Sequence, residues 1–479
     1  MYSVGAKSKG SEDIGCVVRS TADDRRSSIQ HPRSSLPHRS SLPPPPRIPH
    51  PTTRYSSRLL LAPVHRDQHN TMLRALSILS LLLAILSACL SAWIAYRVQG
   101  FNQPCTEDDT CALFSTSYRQ ARERFRTAAH AVEASVYPLA VIDEDFTIDV
   151  AVLKGNKPGC VIHTSGVHGV EGYAGSAIQL AFLQEELPID RPTVMLVHAV
   201  NPFGMAHFRR TNENNVDLNR NALNQHPVDT HPNHDRYAKF DKTFNPQGPP
   251  TFFSVYVKSW FTMIRAVGLH GIPTLKAALV QGQYNQPKGI SYGGSKLEPS
   301  LLLLRGWMLQ QEITGVTTWI DVHTGLGPVG QDTLIPVDAS SAAELDRWFP
   351  ESFHPYGVSQ EAKNVIQGYE EQVGGVHNYF EALLQPALAL IQEFGTVPNL
   401  LVGHAVISEN SAFQSLSAAE ALGWALETTK RAFYPESSYW RHQVLERGVR
   451  LLRQAMDRSM VLSADMKLPN SSKEVNEDS

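Results

Sequence analysis

From residue 115 to about 135, apolar side chains recur at Tyr118, Ala121, Phe125, Ala128 and Val132, with Arg119, Arg122, Glu123 and Arg124 between them. That spacing gathers the apolar positions on one side of a helix and predicts an amphipathic helix on the outside of a domain. Further along, the period changes. Residues 146–153, 160–164 and 193–200 are short stretches rich in β-branched residues, separated by the turn Gly155-Asn156-Lys157-Pro158 and by a helical pattern over 171–186. Strand signals return at 317–322, 333–337 and 387–394, and a long helical region follows over 413–433. Strands alternating with helices predict an α/β domain with a mixed, mostly parallel central sheet and helices on both faces.

The domain is expected to span 114–460, with a polar tail over 461–479 and no internal repeat. Within it, 224–299 reads as irregular, being broken by His226-Pro227, Pro249-Pro250 and the loop-like Gly282 to Gly289 segment. Long inserts of this kind often shape a substrate pocket.

The N-terminal part has a different pattern. No charged residue occurs over 75–96, a length sufficient to cross a bilayer core. Arg54, Arg58, Arg66 and Arg74 precede it and Arg97 follows, which favours a cytosolic N-terminus and a lumenal or extracellular domain. The expectation is a transmembrane signal-anchor over 72–98 and a linker over 99–113. Translation from Met72 would make the same run the start of a signal sequence, and cleavage after it would release a secreted protein. Residues 1–71, rich in Ser, Pro, Arg and His, lack the apolar surface to offset ordering entropy and are expected to be a disordered leader.

Composition refines this picture in two places. The formal net charge of -3 hides twelve Lys/Arg against five Asp/Glu over 1–74, so the remainder is acidic and nucleic acid is excluded as its main partner. Of five cysteines, only Cys105 and Cys111 look like a disulfide pair, which suits an oxidising compartment, as does the Asn470 sequon.

The chemistry is concentrated at strand ends. Val161-Ile162-His163-Thr164-Ser165 runs into a glycine-rich turn that holds His168 and Glu171, an imidazole and a carboxylate able to reach one cation from a single turn. Zinc accepts this mixed set, and a catalytic zinc needs three protein ligands with a fourth position open. A second strand ends at Asp321-Val322-His323, and in open α/β sheets such ends meet in one crevice. A third ends at Gln392-Glu393-Phe394, where a buried carboxylate requires a partner such as a metal-bound water. Between them, Arg209, Arg210, Asn219 and Arg220 lie in a loop suited to bidentate capture of a carboxylate.

In this order, His-x-x-Glu, Asn201-Pro202-Phe203-Gly204, Asp217-Leu218-Asn219-Arg220-Asn221, a strand-end His and a strand-end Glu resemble the M14 zinc carboxypeptidase superfamily. Gly282-Gln283-Tyr284, Ser291-Tyr292-Gly293-Gly294 and Tyr118-Arg119-Gln120-Ala121-Arg122 bring the resemblance closest to its branch known as the domain of unknown function DUF2817. The resemblance implies one zinc ion held by His168, Glu171 and His323, and Glu393 as general base. It further implies Arg210, or its neighbour Arg209, at the oxyanion, Asn219 and Arg220 on a substrate carboxylate, and Tyr369 as a candidate for the mobile tyrosine. The implied activity is hydrolysis of an amide, either at a peptide C-terminus or, as the short segment between Arg210 and Asn219 suggests, in an N-acylated amino acid or other small amide. A membrane-tethered binding protein with an inactive site is the reading from a different class.

Overall fold

Seven strands hydrogen-bond into one sheet: β1 (Ser135–Ala140), β2 (Thr147–Leu153), β3 (Cys160–Ser165), β4 (Thr193–His198), β5 (Thr317–Val329), β6 (Asp332–Pro336) and β7 (Ala387–Gly395). Their spatial order is β1-β2-β4-β3-β5-β7-β6. The four central strands, β4, β3, β5 and β7, run parallel, and the outer strands β1, β2 and β6 join antiparallel. In this computed structural model the described residues run from 109 to 466 with short gaps, together with helical residues between Met72 and Ser87. Of the two units into which the chain divides, Met1–His69 lies wholly outside the described residues, and Asn70–Ser479 holds the sheet.

Alternate residues of each central strand enter different clusters, as the two-residue period of a strand requires. On one face, Val161, Leu196, Ile320 and Leu390 pack with α1 (Tyr118–Ala131), α2 (Gly172–Leu183) and a long C-terminal helix. On the other, Ile162, Val197, Trp319 and Ala389 are covered mainly by two helices of the segment between β4 and β7. In chain order after α2, the helices used below are α3 (Ser259–His270), α4 (Ile272–Val280), α5 (Pro299–Met308), α6 (Val376–Leu383), α7 (Asn399–Ser415), α8 (Ala419–Phe433) and α9 (Ser438–Asp465). Helices α5 and α6 cover that second face, and α9 is the C-terminal helix of the first. A central sheet buried on both sides explains why its strands read as nearly unbroken apolar runs.

Several expectations are corrected. The segment 224–299 is largely helical: it contains short helices at Asn233–Lys239 and Asp241–Phe244, then α3 and α4. These build a third apolar cluster with α7 around Phe240, Trp260, Met263, Leu275 and Val406. The helical region expected over 413–433 is the end of α7 and the whole of α8. The first helix stops at Ala131, and Ser135 opens β1. Helix α9 continues to Asp465, five residues into the expected tail, where Ser463 is buried and its Oγ accepts the Val316 N–H at 2.7 Å.

At the N-terminal side, the leader, residues 99–108 of the linker and much of 75–96 lie outside the described residues. The described leucines of that run, Leu76, Leu79, Leu81, Leu83 and Leu86, are exposed. Among the described residues no helix is long and apolar enough to cross a membrane. Cys111 is disulfide-bonded, and Cys105, its expected partner, is not among the described residues; Cys160 is buried and free.

Candidate metal centre

Strand β3 ends in a tight turn at Gly166, whose φ of +72° is a conformation that a side chain would strain. The chain then enters the 3-10 turn Gly169–Glu171, which leads into α2. Gly169 sits against the main chain of Gly204: a Cβ there would lie 1.9 Å from its carbonyl carbon. The Asn201-Pro202-Phe203-Gly204 turn is fixed in turn by Asn201, whose main-chain N–H donates to Gly166 and whose Oδ1 caps Gly204. This packing also sets Arg210: Gly169 and Val170 donate to the carbonyls of Arg210 and Arg209, so Arg210 runs alongside Glu171.

Three ligand-type atoms converge. His168 Nδ1 lies 3.0 Å from Glu171 Oε1, His323 Nδ1 lies 3.1 Å from Glu171 Oε2, and the two Nδ1 atoms are 3.1 Å apart. All three residues are buried, and their ligand atoms lie within 4.8 Å of one another. Behind each ring stands a carboxylate: Asp217 Oδ1 is 3.0 Å from His168 Nε2, and Asp321 Oδ2 is 2.9 Å from His323 Nε2. A carboxylate on the outer nitrogen fixes the tautomer and turns the Nδ1 lone pair inward, the arrangement of a histidine that ligates a metal. Two imidazole nitrogens and a carboxylate therefore fit zinc by donor chemistry.

The electrostatics agree. Burial alone would raise the Glu171 carboxyl, yet His168 and then His323 hold it below the usual carboxylate range. Asp217 is likewise held well below its ordinary value: burial opposes this, but Arg210, His168 and Arg220 prevail. Burial would lower the His323 imidazole, but the Asp321 and Glu171 carboxylates lift it to about 10. The buried carboxylates Glu171, Asp217 and Asp321 thus favour positive charge where the Nδ1 atoms meet.

Glu393 faces this point from the next strand. In the parallel register of β5 and β7, His323 and Glu393 are direct partners, and Glu393 Oε1 accepts the Leu326 N–H at 2.9 Å. Burial, and next the charge of Glu171, push its carboxyl up to about 7. Arg210 donates through Nη1 to Glu171 Oε1 at 3.1 Å and through Nε to Asp217 Oδ2 at 3.3 Å.

The other expected residues divide. Arg209 does not join the site: its Nε donates to Glu409 at 2.5 Å, its Nη2 to Asn215 at 2.8 Å, and its guanidinium stacks on Phe413. It turns into the wall because its neighbour Arg210 takes the side of the turn facing Glu171. Asn219, Arg220 and Tyr369 line the same cavity as the ligands, a space of about 460 Å³. Arg220 gives its Nε and Nη2 to the Val280 carbonyl and its Nη1 to the Asn219 carbonyl, which occupies three of five N–H donors. Its guanidinium lies 5.6 Å from the Tyr369 ring centre.

The two ring-orienting carboxylates were not anticipated. Asp321 could have been found, since it lies two residues before His323 on one strand and so on the same face. Asp217 depends on a distant contact: its N–H donates to Tyr292, while Tyr284 and Gly293 bond the same turn at Arg220 and Asn221. This gives the Gly282-Gln283-Tyr284 and Ser291-Tyr292-Gly293-Gly294 motifs their physical role. Replacing Asp321 with Asn should weaken metal affinity about 10- to 100-fold, read by chelator competition, with the circular-dichroism spectrum of the parent retained.

Fold and site together define an α/β protein with a His/Glu/His centre at the carboxyl ends of its parallel strands. The family model described as "Protein of unknown function (DUF2817)" matches residues 114–447, and the chain belongs to that family. No curated protein matches. Among solved structures, the chain is similar to bovine thrombin-activatable fibrinolysis inhibitor in complex with tick carboxypeptidase inhibitor, at 11% identity and TM-score 0.42, covering 72% of this chain and 96% of that one. It is also similar to carboxypeptidase A from Helicoverpa armigera, at 14% identity and TM-score 0.35, covering 71% and 79%. A third similar structure is a metallo-carboxypeptidase from Pseudomonas aeruginosa in complex with (2-guanidinoethylmercapto)succinic acid, at 13% identity and TM-score 0.31, covering 70% and 69%.

Proposed function

We propose that this chain is a zinc-dependent hydrolase of amide bonds, with His168, Glu171 and His323 as ligands, Glu393 as general base and Arg210 at the oxyanion. The observation that carries this reading is the convergence of the three ligand atoms, with a carboxylate behind each imidazole and Glu393 in register beside them. When bound there, zinc would polarise a carbonyl and lower the pKa of water towards about 7. Glu393, its carboxyl raised by burial, holds the proton of the attacking water and delivers it to the leaving nitrogen. Arg210, whose Nε and Nη1 are engaged by Asp217 and Glu171, supplies through Nη2 a donor where the carbonyl oxygen gains charge. Asn219 and the two remaining N–H donors of Arg220 bind a substrate carboxylate, with Tyr369 beside them.

The cavity favours one of the two substrate readings. Met263, Leu275, Leu279, Val402, Val406 and Ile391 make much of its lining apolar, which suits an N-acyl amino acid with a hydrocarbon chain better than an extended polar peptide. Tethering through 75–96 belongs to the same proposal, supported by the exposed leucines of that run. Metal content of the full chain, measured by mass spectrometry beside a His168→Ala, His323→Ala variant, is the test. About one zinc per chain, absent from the variant, is expected, with release of free amino acid from N-acyl substrates ahead of C-terminal peptides. Folded protein that takes up no metal would instead leave a tethered binding protein.

A further inference from the structure

Helix α3 is apolar on two sides. Trp260, Met263 and Ala266 enter the third core cluster, whereas Phe261, Ile264 and Leu269 are 53%, 44% and 60% exposed. Positions 261, 264, 265, 268 and 269 share one helical face, and Phe253 before the helix and Ile272 after it are exposed as well. An apolar surface gathered on one side of a helix marks an interaction site, unlike apolar residues scattered singly.

Charge decides what it meets. Between Asp241 and Glu298 the sequence contains no acidic residue, while Lys242, Lys258, Arg265, Lys288 and Lys296 are exposed. Lys258 and Arg265 flank Phe261 and Ile264 directly. A second copy docking isologously would set these cations near their own counterparts. We propose that this face of the 224–299 insert docks on an anionic lipid bilayer, with Phe261, Ile264 and Leu269 entering the headgroup boundary and Lys258 and Arg265 meeting lipid charge. Apolar burial combined with cation attraction is how interfacial helices bind. Ile272 is both exposed and part of the cavity lining, so docking would bring lipid beside one wall of the cavity.

The inference stands apart from the hydrolase reading, and its test needs no turnover. Amide hydrogen exchange over 253–274 is followed in the full chain, with vesicles of phosphatidylcholine alone and with vesicles that also contain phosphatidylserine. Slowed exchange is expected with phosphatidylserine present. In a Lys258→Glu, Arg265→Glu variant the docking equilibrium constant should fall at least about thirtyfold. A Phe261→Ser, Ile264→Ser, Leu269→Ser variant should show no slowing, while its sheet amides exchange as in the parent. Exchange unchanged by phosphatidylserine overturns the proposal. So does protection that appears without lipid and grows with protein concentration, which would identify a second copy as the occupant.

Discussion

Replacing Glu393 with glutamine is expected to lower kcat by about 10²- to 10⁴-fold and leave metal stoichiometry unchanged. Glutamine keeps the shape of the side chain, and its amide oxygen can still accept the Leu326 N–H that orients Glu393 Oε1. What it loses is the ability to take a proton. Glu393 is not one of the three converging ligand residues, so metal retention separates a lost base from a lost site. A general base works as a carboxylate, so on the proposed mechanism kcat of the parent is expected to rise as pH climbs through the Glu393 pKa, and the variant should lose that acid limb. A variant that keeps parental kcat would remove Glu393 from the chemistry and leave water activation to another group.

Arg210→Gln is expected to reduce kcat by about 10²- to 10³-fold, the cost of removing one oxyanion donor. The interpretation needs a control, because Arg210 also braces Glu171 and Asp217. Its loss leaves two buried carboxylates with less positive charge, and an unpaired buried charge is costly. Arg210→Lys supplies the control: it keeps a cation near both carboxylates but cannot reproduce the forked donor geometry. Restored metal affinity with kcat still low in the lysine variant would assign Arg210 to the transition state. Recovery of both together would make it a brace for the metal ligands.

Much of the site was legible because its residues lie at strand ends, where sequence pattern and position in the sheet coincide. His323 and Glu393 close the apolar runs of β5 and β7, although the strands themselves continue past them to Val329 and Gly395, and the structure sets the two residues side by side. Arg209 and Arg210 show the limit. Adjacent in sequence, they point to opposite sides of one turn, and only the pairing of that turn with Gly169 and Val170 decides which meets Glu171. Helix α3 was missed for a physical reason as well: with apolar residues both on its core side and on its exposed side, it carries a weak three-and-four period. Helix α9 was also missed, although Trp440, Val444, Leu451 and Met456 recur near helical spacing and are buried together in one cluster.

The direct pairing of His323 with Glu393 separates reaction from substrate range. Ladder hydrogen bonds between two neighbouring strands hold the proposed ligand and the proposed base at a fixed spacing. The chain joining those strands contributes β6, the cavity residue Tyr369 and α6, yet sets none of that spacing. On the proposed reading, descendants of such a protein could vary the loops and surface helices of that connection and change substrates while this pair stays in place.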